Sequence, residues 1–285
     1  MFKSLFDLRV GADDSVCPNK RKGANMIHIN NNEKLDRLKD LSKFYVITDF
    51  DRTLTTKGSE PTMGIVPQYL GGECLEERTK IFNHYRPLEL DYTIEEKEKQ
   101  KIMKEWANKS FTLLSEYLTQ EIIYKALENA NIHFRKGAKE FLIKMNNMNI
   151  PVIMMSSGVG NIIEAFLEKE NCMFDNIKIV SNFFEFEEGK AHIDLDNIMA
   201  TLNKEYKKIP ENIRNAIDEK ENALLFGDLI EDIKMADEEK LSNTITFGFL
   251  DENVEQNLEE FNKNFDVVLA GNEDFDSIKQ VLNFN

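Results

Sequence analysis

The chain is poor in everything that would make it a disulfide scaffold, a membrane protein or a general binder of nucleic acid. It has three cysteines in 285 residues, Cys17, Cys74 and Cys172, far apart and with no Cys-x-x-Cys pair. That spacing excludes a zinc ribbon and a disulfide framework, and fits reduced thiols in a cytoplasmic protein. No stretch approaches 18 uncharged apolar residues, so no membrane span is expected. The first residues carry Asp and Arg where a signal peptide needs an apolar run. Positive charge is short as well: 36 Lys and Arg stand against 51 Asp and Glu, a net charge of −15. A surface this acidic has no global attraction for nucleic acid or anionic lipid. An anionic substrate would need local positive charge, from a metal, a lysine or backbone N–H groups. Hydrophobic residues at 41% and charged residues at 31% are ordinary for a folded domain.

What is present is a series of short apolar runs separated by helical patterns. Phe44–Thr48, Ile150–Gly158, Ile177–Asn182, Asn222–Asp228, and the runs from Asn243 and from Phe265 read as strands of a buried parallel sheet. "NEKLDRLKDLSKF", "GAKEFLIKMNNMN", "NIIEAFLEKEN" and "EDIKMADEEKL" read as helices around it, and "FFEFEEGKAHIDLD" as a hairpin turning at Glu-Gly. Residues 56–135 interrupt this rhythm with long helical patterns, too long for one crossover. The expected fold is α/β, with a core of residues 1–55 and 136–285 and a helical cap inserted after the first core strand. Residues 1–32 are expected to be a loose N-terminal arm. A monomer is expected.

Four polar clusters fall where strands run into loops: Asp49, Asp51 and Thr53 after the first; Ser156, Ser157 and Gly158 at the end of the second; Lys204 in "LNKEY"; Asp228 and Asp232 in "GDLIED". In open α/β sheets the carboxyl ends of strands share one rim, so residues 180 positions apart can meet. A carboxylate can attack phosphorus, and a second one nearby can carry a proton to and from the leaving group. Several carboxylates also make a hard oxygen site suited to Mg²⁺. Ser156, Lys204 and backbone N–H groups could hold phosphoryl oxygens as charge develops. Taken singly, each cluster is better read as a cap, a turn or a solvated lysine. Their occurrence in order at successive strand ends favours phosphoryl transfer.

"DFDRTLT", "SSG", "NK" and "GDLIED" resemble the four motifs of haloacid dehalogenase-like (HAD) phosphohydrolases. From about Leu41 to the C-terminus the chain is similar to the cytosolic pyrimidine 5′-nucleotidases of type III, through "HYRPLELDYTIEEK", "EWANKSFTLL", "IVSNFFEF", "DIKMAD" and "GFLDENVEQNLEEFNKNFDVVL". The resemblance implies a Mg²⁺-dependent 5′-nucleotidase acting on a small nucleoside monophosphate, UMP or CMP preferred. It implies Asp49 as nucleophile and Asp51 as general acid/base. Asp49, the Asp51 carbonyl, Asp228 and Asp232 would hold the metal. Ser156, Ser157, Gly158 and Lys204 would bind phosphate, and Glu89 the nucleobase. Where that family tends to have Cys-Pro-Thr and then a histidine near the base, this chain has Glu60-Pro61-Thr62 and Gly64. That departure keeps open another phosphomonoester, such as 7-methyl-GMP. A non-catalytic nucleotide-binding protein is the third reading, disfavoured because the reactive residues are all present.

Overall fold

The structure is a computed structural model, and it describes residues 26–91 and 93–282. Among these described residues, seven strands form one sheet in the order β1-β9-β8-β7-β2-β3-β4, and two more form a hairpin. β2 (Phe44–Thr48), β3 (Val152–Val159), β4 (Ile177–Asn182), β7 (Asn222–Gly227), β8 (Thr244–Leu250) and β9 (Val267–Ala270) run parallel. β1 (Met26–Ile29) pairs antiparallel with β9 at one edge. The hairpin is β5 (Glu185–Glu187) with β6 (Lys190–His192). Its two turn residues, Glu188 and Gly189, both have positive φ (49° and 78°), as a tight hairpin between right-twisted strands requires.

The parallel strands are apolar at nearly every position because both faces are covered. Their alternation sorts side chains into two cores. Phe44, Val46, Val152, Met154, Leu224, Phe226, Ile245 and Phe247 fall on one face. Tyr45, Ile47, Ile153, Met155, Ala223 and Leu225 fall on the other. A one-residue slip would exchange the two sets, so register is strongly specified.

Three expectations are corrected. Met26–Ile29 is an edge strand, not part of a loose arm; residues 1–25 lie outside the described residues. "NEKLDRLKDLSKF" forms only a short helix, Asn32–Leu35, and 3-10 turns, because Asp40 accepts from the Ser42 N–H and starts a new turn. "EDIKMADEEKL" likewise forms two 3-10 segments, Ile230–Met235 and Glu238–Asn243. Its Asp232 carboxylate accepts from the Asp228 and Leu229 N–H groups, both at 3.0 Å, and Asp237 caps the next turn through the Glu239 N–H.

Between β2 and the Ala138–Asn147 helix lie four helices: Thr62–Leu70, Gly72–Glu89, Glu96–Tyr117 and Gln120–Asn129. The chain enters and leaves them side by side. The Thr56 N–H donates to His133 O at 3.0 Å, Glu60 N–H to Asn131 O at 2.7 Å and Arg135 N–H to Leu54 O at 2.7 Å. Arg135, 5% exposed, fixes this neck by donating to the carbonyls of Arg52 and Thr53 and pairing with Asp251.

Candidate functional site

β2 and β7 are neighbours at the point where the strand order reverses, which is where α/β sheets open a crevice beyond their carboxyl ends. The Asp49 N–H donates to Phe226 O at 3.0 Å and carries the ladder one residue past the strand. Asp49 and Asp228 therefore leave the sheet together. One oxygen from each of Asp49, Asp228 and Asp232 lies within 4.8 Å of the others. Lys204, 2% exposed, reaches the same point: its Nζ is 2.6 Å from Asp49 Oδ1 and 2.5 Å from Asp232 Oδ1.

One lysine cannot balance three clustered carboxylates, two of them, Asp49 and Asp232, buried and Asp228 half-buried. Burial pushes the Asp49 carboxyl up to about 7, against the pull of the Lys204 ammonium. Burial, then the Asp49 and Asp232 charges, hold Asp228 well above the usual carboxylate range. Burial also works against the Lys204 charge, yet Asp232 and Asp49 keep its pKa above that of a free lysine. This excess of negative oxygen suits a hard divalent cation.

Asp51 is turned elsewhere. Its carboxylate accepts from the Thr62 N–H at 3.0 Å and the Thr62 hydroxyl at 2.8 Å. Burial pushes it up to about 6, opposed by those two hydrogen bonds. Thr62 Oγ1 also accepts from the Val159 N–H at 3.2 Å. Gly158 lets these groups meet, since a Cβ there would lie 2.0 Å from Thr62 Oγ1 and 3.0 Å from Asp51 Oδ2. Arg52, directly after Asp51, has φ of 66°, a costly conformation for a residue that carries a Cβ.

Ser156 is buried at 1% exposure, and its Oγ accepts from the Gly158 N–H at 3.1 Å. β3 runs on to Val159 and the next helix begins at Gly160, so the glycines end a strand rather than form a loop. Ser156, Ser157, Gly158, Lys204, Asp49, Asp51 and Asp228 all line one cavity. Asp232 supports them from behind, through the Asp228 and Leu229 amides.

The opposite wall comes from the inserted helices: Arg78, Phe82, Arg86 and Glu89 from one, Met103 and Trp106 from the next. Trp106 stacks on Tyr85 with 6.0 Å between centroids and 9° between planes. Glu89, 8% exposed, pairs with Arg86 and accepts from the Thr201 hydroxyl at 2.9 Å. All the residues expected at the site are thus at one cavity or directly behind it.

Several others emerge only from the coordinates. Thr62 holds Asp51, and Arg86 bridges Glu89 and Glu252. Asn182 joins β4 to the Lys204 loop, donating to Met199 O at 2.8 Å and Ser157 O at 3.0 Å. An asparagine ending the apolar run "IKIVSN" was the one visible signal for it.

Comparison with known proteins places this arrangement. The family described as pyrimidine 5′-nucleotidase (UMPH-1) matches residues 63–284. The chain belongs to this family. Its members' HAD-type hydrolase fold is the fold seen here. The chain is similar to the human 7-methylguanosine phosphate-specific 5′-nucleotidase, 31% identical over 254 residues that cover 84% of each chain. It is similar in structure to cytosolic 5′-nucleotidase IIIB bound to cytidine, with TM-score 0.77, 25% identity, and coverage of 90% of this chain and 92% of that one. A phosphoserine phosphatase solved as a phospho-aspartyl intermediate analogue shares the fold, with TM-score 0.55, 20% identity, and coverage of 83% and 97%. Among the described residues of this 5′-nucleotidase family member, no helix is long and apolar enough to cross a membrane.

Proposed function

We propose that the protein is a cytoplasmic, monomeric, Mg²⁺-dependent enzyme that hydrolyses nucleoside 5′-monophosphates, CMP and UMP preferred, through an aspartyl phosphate. The observation that carries this is the meeting of Asp49, Lys204 and Asp228 on the floor of a cavity walled by aromatic side chains. In this reading residues 56–135 are the cap, and 26–55 with 136–282 the core.

An Asp49 oxygen attacks phosphorus as the bond from phosphorus to the ribose 5′ oxygen breaks. Asp51 gives that oxygen its proton, so the nucleoside leaves neutral. Asp51 then takes a proton from water, whose oxygen attacks phosphorus, and phosphate departs with Asp49 restored as carboxylate. An Asp51 pKa of about 6 suits both halves. Lys204, Ser156 and the Ser157 N–H hold the phosphoryl oxygens as charge builds, joined by the Gly158 N–H as it leaves Ser156 Oγ. Mg²⁺, held by Asp49, Asp228, Asp232 and the Asp51 carbonyl, would offset the repulsion between substrate and nucleophile. Glu89, kept in place by Arg86 and Thr201, faces the nucleoside with Trp106.

A second reading takes 7-methyl-GMP as the preferred substrate, because the human relative is named for it. A phosphate-release screen decides. CMP, UMP, GMP, 7-methyl-GMP, phosphoserine and sugar phosphates are compared with Mg²⁺ and with chelator. The proposal expects Mg²⁺-dependent release, fastest from CMP or UMP. Fastest release from 7-methyl-GMP establishes the second reading, and a clear preference for a non-nucleotide overturns both.

A further inference from the structure

The departure at Glu60 and Gly64 has a structural counterpart. Gly64 is buried in the first turn of the Thr62–Leu70 helix. A Cβ there would lie 1.8 Å from Glu60 Oε1 and 2.7 Å from Arg78 Nη2. The space a side chain would take is filled by an ion pair, Arg78 Nη2 to Glu60 Oε1 at 3.0 Å, with side-chain exposures of 20% and 25%. The two partners do not stand equally to the cavity. Arg78 lines it; Glu60 does not. The Arg78 guanidinium lies 4.7 Å above the Phe82 ring, and Phe82 meets Trp106 edge to face at 6.2 Å. An arginine is thus set into the aromatic wall with its counter-ion behind it.

A guanidinium offers five N–H donors and no acceptor, and its charge is permanent. A base that meets this wall profits from bringing acceptor atoms, such as the carbonyl oxygens of cytosine and uracil or O6 and N7 of guanine. Methylation of guanine at N7 removes one of those acceptors and leaves the ring positively charged. Such a base is penalised twice beside Arg78. The carboxylates that could offset its charge are already paired: Glu89, which lines the cavity, with Arg86, and Glu60, which does not line it, with Arg78.

We propose that the Glu60–Arg78 pair, admitted by Gly64, is a specificity-determining element that selects neutral bases with acceptor edges against cationic 7-methylguanine. This rests on the nucleotidase reading above.

The test is the ratio of kcat/KM for CMP to that for 7-methyl-GMP, an internal comparison that cancels losses of folded enzyme. Arg78→Met keeps packing on Phe82 and removes the charge, leaving Glu60 unopposed; the ratio falls about tenfold or more. Glu60→Gln leaves Arg78 uncompensated and moves the ratio the opposite way. Ratios within twofold of wild type in both variants, or a shift in the same direction in both, overturn the proposal. Wild-type protein that releases phosphate from neither nucleotide overturns the nucleotidase reading itself, a result distinct from unchanged ratios.

Discussion

Two regions face each other across the cavity, and they are built differently. On the floor, Asp49, Ser156, Lys204 and Asp228 come from four separate segments. Asp49, Ser156 and Asp228 are placed by backbone, through the β2–β7 ladder extended through Asp49 and the end of β3; the Asn182 side chain bridges to the loop that carries Lys204. On the wall, Arg78, Phe82, Glu89 and Trp106 come from two helices and are placed by side-chain contacts: a ring stack, a cation over a ring and two ion pairs. Backbone ladders hold a reacting geometry that few substitutions can move. Side-chain packing lets a wall change character one residue at a time. On the proposed function, the floor carries the chemistry and the wall the choice of substrate.

That division can be broken. Asp51→Asn keeps the Thr62 contacts partly but removes the proposed proton carrier; kcat should fall about 10²- to 10⁴-fold, by the same factor for every nucleotide. A factor that differs widely between CMP and 7-methyl-GMP would place Asp51 in recognition. Lys204→Met leaves the Asp49 and Asp232 carboxylates buried without their cation. The loss expected is about 3–5 kcal/mol of stability in chelator near pH 8, read from denaturant unfolding. Trp106→Ala tests the wall: the ratio between nucleotides should move about tenfold while kcat for the best substrate moves less.

The charge balance of the floor also predicts a pH dependence of stability. Asp51 and Asp49 titrate at about 6 and about 7 in the fold, against 3.8 when free. Both folded values are raised, so the folded chain binds more protons than the unfolded one between about pH 4 and 7. The stability this contributes is complete below the unfolded value and is lost as pH rises through 6 and 7. In chelator the unfolding midpoint should therefore be lower at about pH 8 than at about pH 5, and saturating Mg²⁺ should shrink the difference. A midpoint that rises over that range contradicts the charge balance described for the floor.

The floor was largely legible before any coordinates. Asp49, Ser156 and Asp228 end or directly follow apolar runs such as "FYVIT" and "NALLFG", and a buried parallel sheet sends strand ends to one rim; Lys204 instead follows a 3-10 turn, Thr201–Asn203, and not a strand. The wall was legible only in outline. Helical periodicity marks the insert, but nothing local shows that Arg78 turns to Glu60, 18 positions away, or that Thr62 serves Asp51 across 11. Periodicity also misled where short polar side chains compete with the helix. Asp40 and Asp232 bind nearby amides, and their segments become 3-10 turns. Met26–Ile29 looked like arm because four residues at a sheet edge carry little pattern of their own.

The central claim is that Asp49 is the attacking group. Asp49→Asn is isosteric and can still accept from Lys204, so nucleotide binding should survive. Single-turnover phosphate release from CMP with saturating Mg²⁺ tests it directly, with CMP binding followed separately by Trp106 fluorescence. The account predicts release slowed by at least about 10³-fold while binding persists. Release within tenfold of wild type would contradict it.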